Sequence, residues 1–185
     1  MSKIFTGMIF IFINFHINVG AMRVGLIPNF IGYIFILLGL MQLEGFSPRF
    51  AKVEPLAAIM VVYSLIAYVL DLIGVSYSAG PLLGIILGVI YMGVSLYISY
   101  NIVTAVKEIE EAEAQTLNSE NLFTAWILSA LFGALSLIIL LVPLLGIFVI
   151  VVAFVFAINY LIKFYRTKNL FNEIQWDTIN SEDGN

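Results

Sequence analysis

The chain has 185 residues, 62% of them hydrophobic and 11% charged, with a mean hydropathy of +1.05 and a net charge of −4. A soluble domain carries about a quarter of its residues as charges, so this composition excludes an ordinary water-soluble fold. The acidic balance gives nucleic-acid binding no electrostatic support, and the absence of cysteine excludes disulfides, thiolate metal sites and thiol nucleophiles.

The apolar residues come in blocks that are apolar all round, which predicts membrane helices rather than the alternating strands of a transmembrane barrel. Six blocks follow one another, at 4–20, 28–43, 56–74, 82–106, 122–141 and 144–165. A helix needs about 20 residues to cross the hydrocarbon; the last four blocks meet this comfortably, and the first two are marginal. The expected fold is all-α: a polytopic membrane bundle of six transmembrane helices arranged as three hairpins over residues 1–166, followed by a cytoplasmic tail over 167–185.

The first block contains "NFHIN", in which Asn14, His16 and Asn18 interrupt the apolar run and His16 is the chain's single histidine. At 1.5 Å rise per residue, Asn14 lies about 15 Å and Asn18 about 21 Å above Ile4. Three polar residues at a spacing of two cannot share one face of a helix, so they line one side only if the helix unwinds, as discontinuous helices do around substrate sites. A cleaved leader fits poorly: the cationic start is minimal, "NFHIN" spoils the apolar core, and no small-x-small cleavage site follows.

The second block opens with "IPNFIG", carrying Asn29 at its start, and the third carries Asp71 about 22 Å above Leu56. Asn14, His16, Asn18, Asn29 and Asp71, with Arg23 just outside, are therefore expected in the outer half of the membrane as a polar pocket. An ionisable group inside a membrane is a functional hypothesis in itself, and the partner expected for Asp71 is His16 or Arg23. The plainer reading is that these groups hydrogen-bond neighbouring helices and fix the first hairpin.

The fourth block carries Gly80, Gly84 and Gly88 at four-residue spacing, and the fifth Ala125, Ser129 and Gly133. Such stripes let helices approach closely, within one bundle or between two copies of the chain. Trp126 and Tyr97, Tyr100, Tyr160 and Tyr165 fall toward cytoplasmic helix ends, the level aromatic belts prefer. The loop "KEIEEAEAQTLNSEN" extends the fourth helix and turns, with Asn118 or Ser119 capping the fifth. Pro143 separates the fifth and sixth helices. "PLLGI" opens both the fourth and sixth, a coincidence in membrane sequence or the mark of related hairpins. In the tail, Leu170, Phe171, Ile174 and Trp176 suit a short helix at the membrane surface, and the composition beyond reads as disordered.

With six crossings and the N-terminus inside, the cytoplasmic side receives Lys3, Arg49, Lys52, Lys107, Lys163, Arg166 and Lys168, and the outer side only Arg23. That asymmetry predicts both termini in the cytoplasm. It tolerates one alternative, in which the first two short segments form a re-entrant hairpin.

No HExxH pair, GxSxG elbow or metal cage is present in the sequence, so no catalytic residue, metal or cofactor is expected. Ser76 and Ser78 stand in the same outer loop region as the His–Asp pair, but without the spacing of a triad. The stretch "FINFHINVG…VGLIPNFIGYIFILLGLMQLEGFSPRF" resembles small bacterial integral membrane proteins whose second helix follows the pattern "LLPDFIGYILIxxGLxxL". The resemblance covers the first quarter of the chain, with Asn29 where the pattern has aspartate. It implies a bacterial plasma (cytoplasmic) membrane and carries no activity. The function expected is that of a non-catalytic scaffold or accessory protein; the alternative is a small-solute or ion transporter or channel subunit. The partners expected are the lipid bilayer and either a second copy or another membrane protein.

Overall fold

The computed structural model describes residues 1–12, 16–19, 22–25, 28–73, 81–113, 116–138 and 143–182, with backbone alone at 16–19, 22–25, 81–83, 113, 136–138, 143–147 and 176–182. It contains six helices and one two-stranded ribbon: α1 (Ser2–Phe12), β1 (His16–Val19), β2 (Met22–Gly25), α2 (Asn29–Leu43), α3 (Pro48–Leu72), α4 (Pro81–Glu113), α5 (Ser119–Ile138) and α6 (Pro143–Glu182). Among the described residues, three helical stretches are long and apolar enough to cross a membrane: Pro48–Leu72, Gly84–Ala112 and Phe148–Gln175. The chain divides into two compact units, Ser2–Ile102 and Val103–Asn185.

The six helices agree with the helical fold expected, and the first unit adds one two-stranded ribbon to them. α1 stops at Phe12, well short of the Gly20 expected, and the chain continues as β1 and β2. Polar and apolar residues alternate from Asn14 to Val19, the period of a strand rather than a helix. The strands are antiparallel, pairing His16 with Gly25, Ile17 with Val24, Asn18 with Arg23 and Val19 with Met22.

α1 packs on α2, and α2 on α3. The α1–α2 contact is made by glycine. A Cβ on Gly7 would meet the Gly32 carbonyl oxygen at 2.5 Å, and one on Gly39 would meet the Ile4 nitrogen at 2.9 Å. Ile4, Gly7 and Met8 form the buried stripe of α1, facing the stripe of Gly32, Tyr33, Ile36, Gly39, Leu40 and Leu43 on α2. A turn over 44–46 links α2 to α3, which starts with Ser47 accepting the Arg49 N–H (3.2 Å) and Pro48 in the first turn. α3 buries Phe50, Val53, Ala57, Met60 and Ser64 along one face.

In the second unit, α5 packs on α6, with Phe132 and Phe156 stacked at 4.6 Å. The loop between α4 and α5 is fastened rather than simply solvated. The Ser119 N–H donates to Glu110 Oε2 at 2.7 Å, and Thr167 Oγ1 of α6 donates to the Leu117 carbonyl at 3.0 Å. Leu117, Ser119 and Thr167 are all buried. A carboxylate from α4 therefore caps α5, while Asn118 adopts a left-handed φ of 59° that asparagine tolerates. α6 continues without a break to Glu182, past the end expected at Tyr165 and through the segment expected to be disordered. Thr167 and Phe171, a turn apart, are buried, so this part of the tail packs on protein. Tyr160, expected at the interface, is buried and lies edge-on to Phe164.

Replacing Gly7 by leucine forces α1 and α2 apart and lowers stability by about 1–3 kcal/mol or more, read as thermal unfolding in detergent. Gly88→Leu, at a site where no described atom lies within 4 Å of a Cβ, shifts it by less than about 0.5 kcal/mol. Thr167→Val leaves the buried Leu117 carbonyl without its donor and costs about 1–3 kcal/mol, whereas Thr167→Ser retains most of the stability in the same assay.

Candidate functional site

Of the polar residues singled out in the sequence, Asn29 and Asp71 lie at the same end of the α2–α3 pair. The edge-on contact of Phe30 with Tyr68 (5.7 Å) joins the first turn of α2 to the last turns of α3. Asn29 precedes Phe30, and Asp71 lies one turn beyond Tyr68. β2, which carries Arg23 and pairs with β1, lies against α3.

The ribbon accounts for the spacing of two. Alternate residues of a strand lie on one face, so positions 16 and 18 share a face, and the cross-strand partner of Asn18 is Arg23. Asn14 lies outside the described residues. Whether His16 or Arg23 pairs with Asp71 also lies outside them, because the ribbon is described by its backbone.

Two observations locate unspent polar groups near this end. Asn29 Oδ1 is buried and has no hydrogen-bond partner among the described residues. One turn further along α2, the Tyr33 hydroxyl is in the same condition, as is that of Tyr91 on α4. The Tyr33 and Tyr91 rings are perpendicular with centroids 6.0 Å apart, and Tyr63 of α3 lies 6.0 Å from Tyr91. Three helices thus contribute one tyrosine each to a cluster that sequence reasoning passed over. The available signal was position: Tyr33, Tyr63 and Tyr91 sit inside the apolar blocks, unlike the tyrosines near helix ends.

Other polar groups in the helices are spent locally. Ser64 Oγ donates to the Met60 carbonyl at 2.5 Å, Ser99 Oγ to Leu96 at 3.0 Å, and Asn101 Nδ2 to Tyr97 at 2.8 Å. Back-bonding of this kind spends one donor of each side chain within its own helix. Among the described residues, no three of His, Asp and Glu converge in a way that could hold a metal ion.

The small-residue stripes differ from each other. Gly84 and Gly88 have no described atom within 4 Å of a Cβ position, whereas Ser129 and Gly133 are half-buried on α5, in line with buried Ala125. Gly80 lies outside the described residues. The tightest glycine contacts are instead those of Gly7, Gly32 and Gly39. No protein-family model, curated protein or solved structure matches the chain.

Proposed function

We propose that the chain is a multi-pass protein of a bacterial cytoplasmic membrane, with three hairpins and both termini inside, acting without catalysis as a scaffold or accessory to a partner in the same membrane. The observation that carries this reading is the division of the long helices. α3 exposes Ile59, Val62, Ile66 and Val69, and α6 exposes Phe148, Val151, Phe154, Val155, Ile158 and Ile162, a surface suited to lipid or to another membrane helix and unsuited to water. The inward polar groups, by contrast, are mostly spent on backbone carbonyls.

The positive-inside distribution supports the orientation. Interfacial rings at the expected inner level add to it: Lys52 lies over Tyr97 at 5.9 Å, and Lys168 over Tyr165 at 4.4 Å. A second reading, passage of a small solute or ion through the outer polar region, is favoured by Asn29 Oδ1, which is buried without a hydrogen-bond partner among the described residues. At 1.5 Å per residue, α1 spans only about 16 Å of a hydrocarbon layer of about 30 Å. Non-helical backbone at such a depth needs shielding by protein or contact with a water-filled cavity.

Natural absence of cysteine makes the orientation directly testable. In intact cells a membrane-impermeant thiol reagent labels Ser78→Cys, whereas Thr116→Cys reacts only after permeabilisation; the reverse pattern contradicts the topology. The two functional readings separate on Asp71→Asn, reconstituted in liposomes. The scaffold reading expects no solute flux from either protein, with at most a change in unfolding temperature. Flux by the parent chain that the substitution abolishes at unchanged stability establishes transport instead.

A further inference from the structure

We propose that Tyr165, Arg166 and Lys168 of α6 form a site for the phosphate headgroup of an anionic phospholipid, whose acyl chains lie along Phe154, Ile158 and Ile162. The inference rests on the membrane reading above and deepens it, by naming the lipid class that one helix selects. It is independent of whether the chain is a scaffold or a transporter.

Charge is sorted along α6. From Pro143 to Asn172 the helix has no acidic residue, and its basic residues, Lys163, Arg166 and Lys168, fall close together where the apolar run ends. Acids begin at Glu173 and continue with Asp177 and Glu182. A negative bilayer surface attracts the first group and repels the second, so this order suits a helix leaving an anionic leaflet. Elsewhere the charges are mixed: Lys107 is paired with Glu111 at 3.9 Å, and Arg49 and Lys52 stand between Glu44 and Glu54.

The exposed face of α6 runs through Phe154, Ile158 and Ile162 and reaches Tyr165 and Arg166. On a helix of 3.6 residues per turn, Tyr165 continues the line of Phe154 and Ile158, with Arg166 about 100° to one side and Lys168 about 60° to the other. Lys168 Nζ lies over the Tyr165 ring at 4.4 Å, which brings the ammonium toward the exposed face. Two cations therefore flank a tyrosine at the point where apolar exposure stops. A guanidinium offers a phosphate two parallel donors, and an ammonium adds a point charge. Lys163 is half-buried and about 160° round from Tyr165, so it stands outside the site. A soluble phosphate would use the same donors, but the apolar stripe leading up to them fits a ligand that carries phosphate and chains in one molecule.

The test uses the full chain in detergent, titrated with phosphatidylglycerol or phosphatidylcholine, with bound lipid counted by native mass spectrometry. The parent binds phosphatidylglycerol more tightly by about tenfold or more, and Arg166→Gln with Lys168→Gln weakens that binding by about thirtyfold, the effect of two cations beside an anionic headgroup. Arg166→Lys with Lys168→Arg, which keeps one group of each kind, and Lys163→Gln both stay within about threefold of the parent. Equal binding of the two lipids, no loss in the double glutamine variant, or an equal loss in Lys163→Gln overturns the proposal. Displacement of phosphatidylglycerol by millimolar inorganic phosphate also overturns it and assigns a soluble anion. Alkaline extraction of cell membranes separates the two levels of the account. A chain that resists extraction yet shows no lipid preference contradicts this site alone, whereas an extracted chain overturns the membrane reading and the site with it.

Discussion

In a hydrocarbon layer, a backbone N–H or C=O has no solvent to pair with, and leaving it unmade costs several kcal/mol. The long helices meet this demand along their length, and the polar side chains within them mostly return to carbonyls one turn away, as Ser64, Ser99 and Asn101 do. The chain departs from helix between Phe12 and Asn29, where β1 and β2 pair with each other and β2 lies beside α3. A two-stranded ribbon satisfies only its inner edges by itself. The neighbouring helix and the polar residues of the ribbon therefore belong to one physical problem: how non-helical backbone is accommodated beside apolar helices.

Packing supplies the second half of the account. Lipid gives helices no hydrophobic reason to associate, so close backbone approach and interlocking rings must hold them. The glycines at 7, 32 and 39 do this for α1 and α2, which is what allows so short a helix to be fixed. In the other unit the Phe132–Phe156 stack serves α5 and α6. The Glu110 and Thr167 hydrogen bonds draw together the end of α4, the start of α5 and the middle of α6. That fastening uses charge-assisted and neutral bonds because it lies on the polar stretch of sequence, where apolar contacts are fewer.

Much of this was legible in the residues. Proline marked the openings of α4 and α6 at 81 and 143, because a missing N–H is harmless in a first turn, whereas α3 begins at Pro48, ahead of the Leu56 expected. The block lengths located six helices. The extent of α1 was misread because average hydropathy does not distinguish a helix from an apolar strand; the alternation from Asn14 to Val19 carried that information, and the spacing of two already forbade a helical face. Period alone also failed for glycine. Gly84 and Gly88 form the regular stripe, yet Gly7, Gly32 and Gly39 make the tight contacts, since which stripe meets a neighbour depends on the fold around it. The tyrosine cluster was hidden for the same reason: Tyr33, Tyr63 and Tyr91 are far apart in sequence and meet only through three helices.

After α1 this apolar, helix-rich chain forms a β-ribbon over His16–Val19 and Met22–Gly25. The ribbon is tested most directly by the backbone 13Cα and 13Cβ chemical shifts of residues 16–25, measured on the full chain in lipid nanodiscs. Strand-type shifts over His16–Val19 and Met22–Gly25, with cross-strand contacts between Asn18 and Arg23, are the predicted result. Continuous helical shifts from Ser2 to Gly20 would contradict it and return "NFHIN" to the interior of a transmembrane helix.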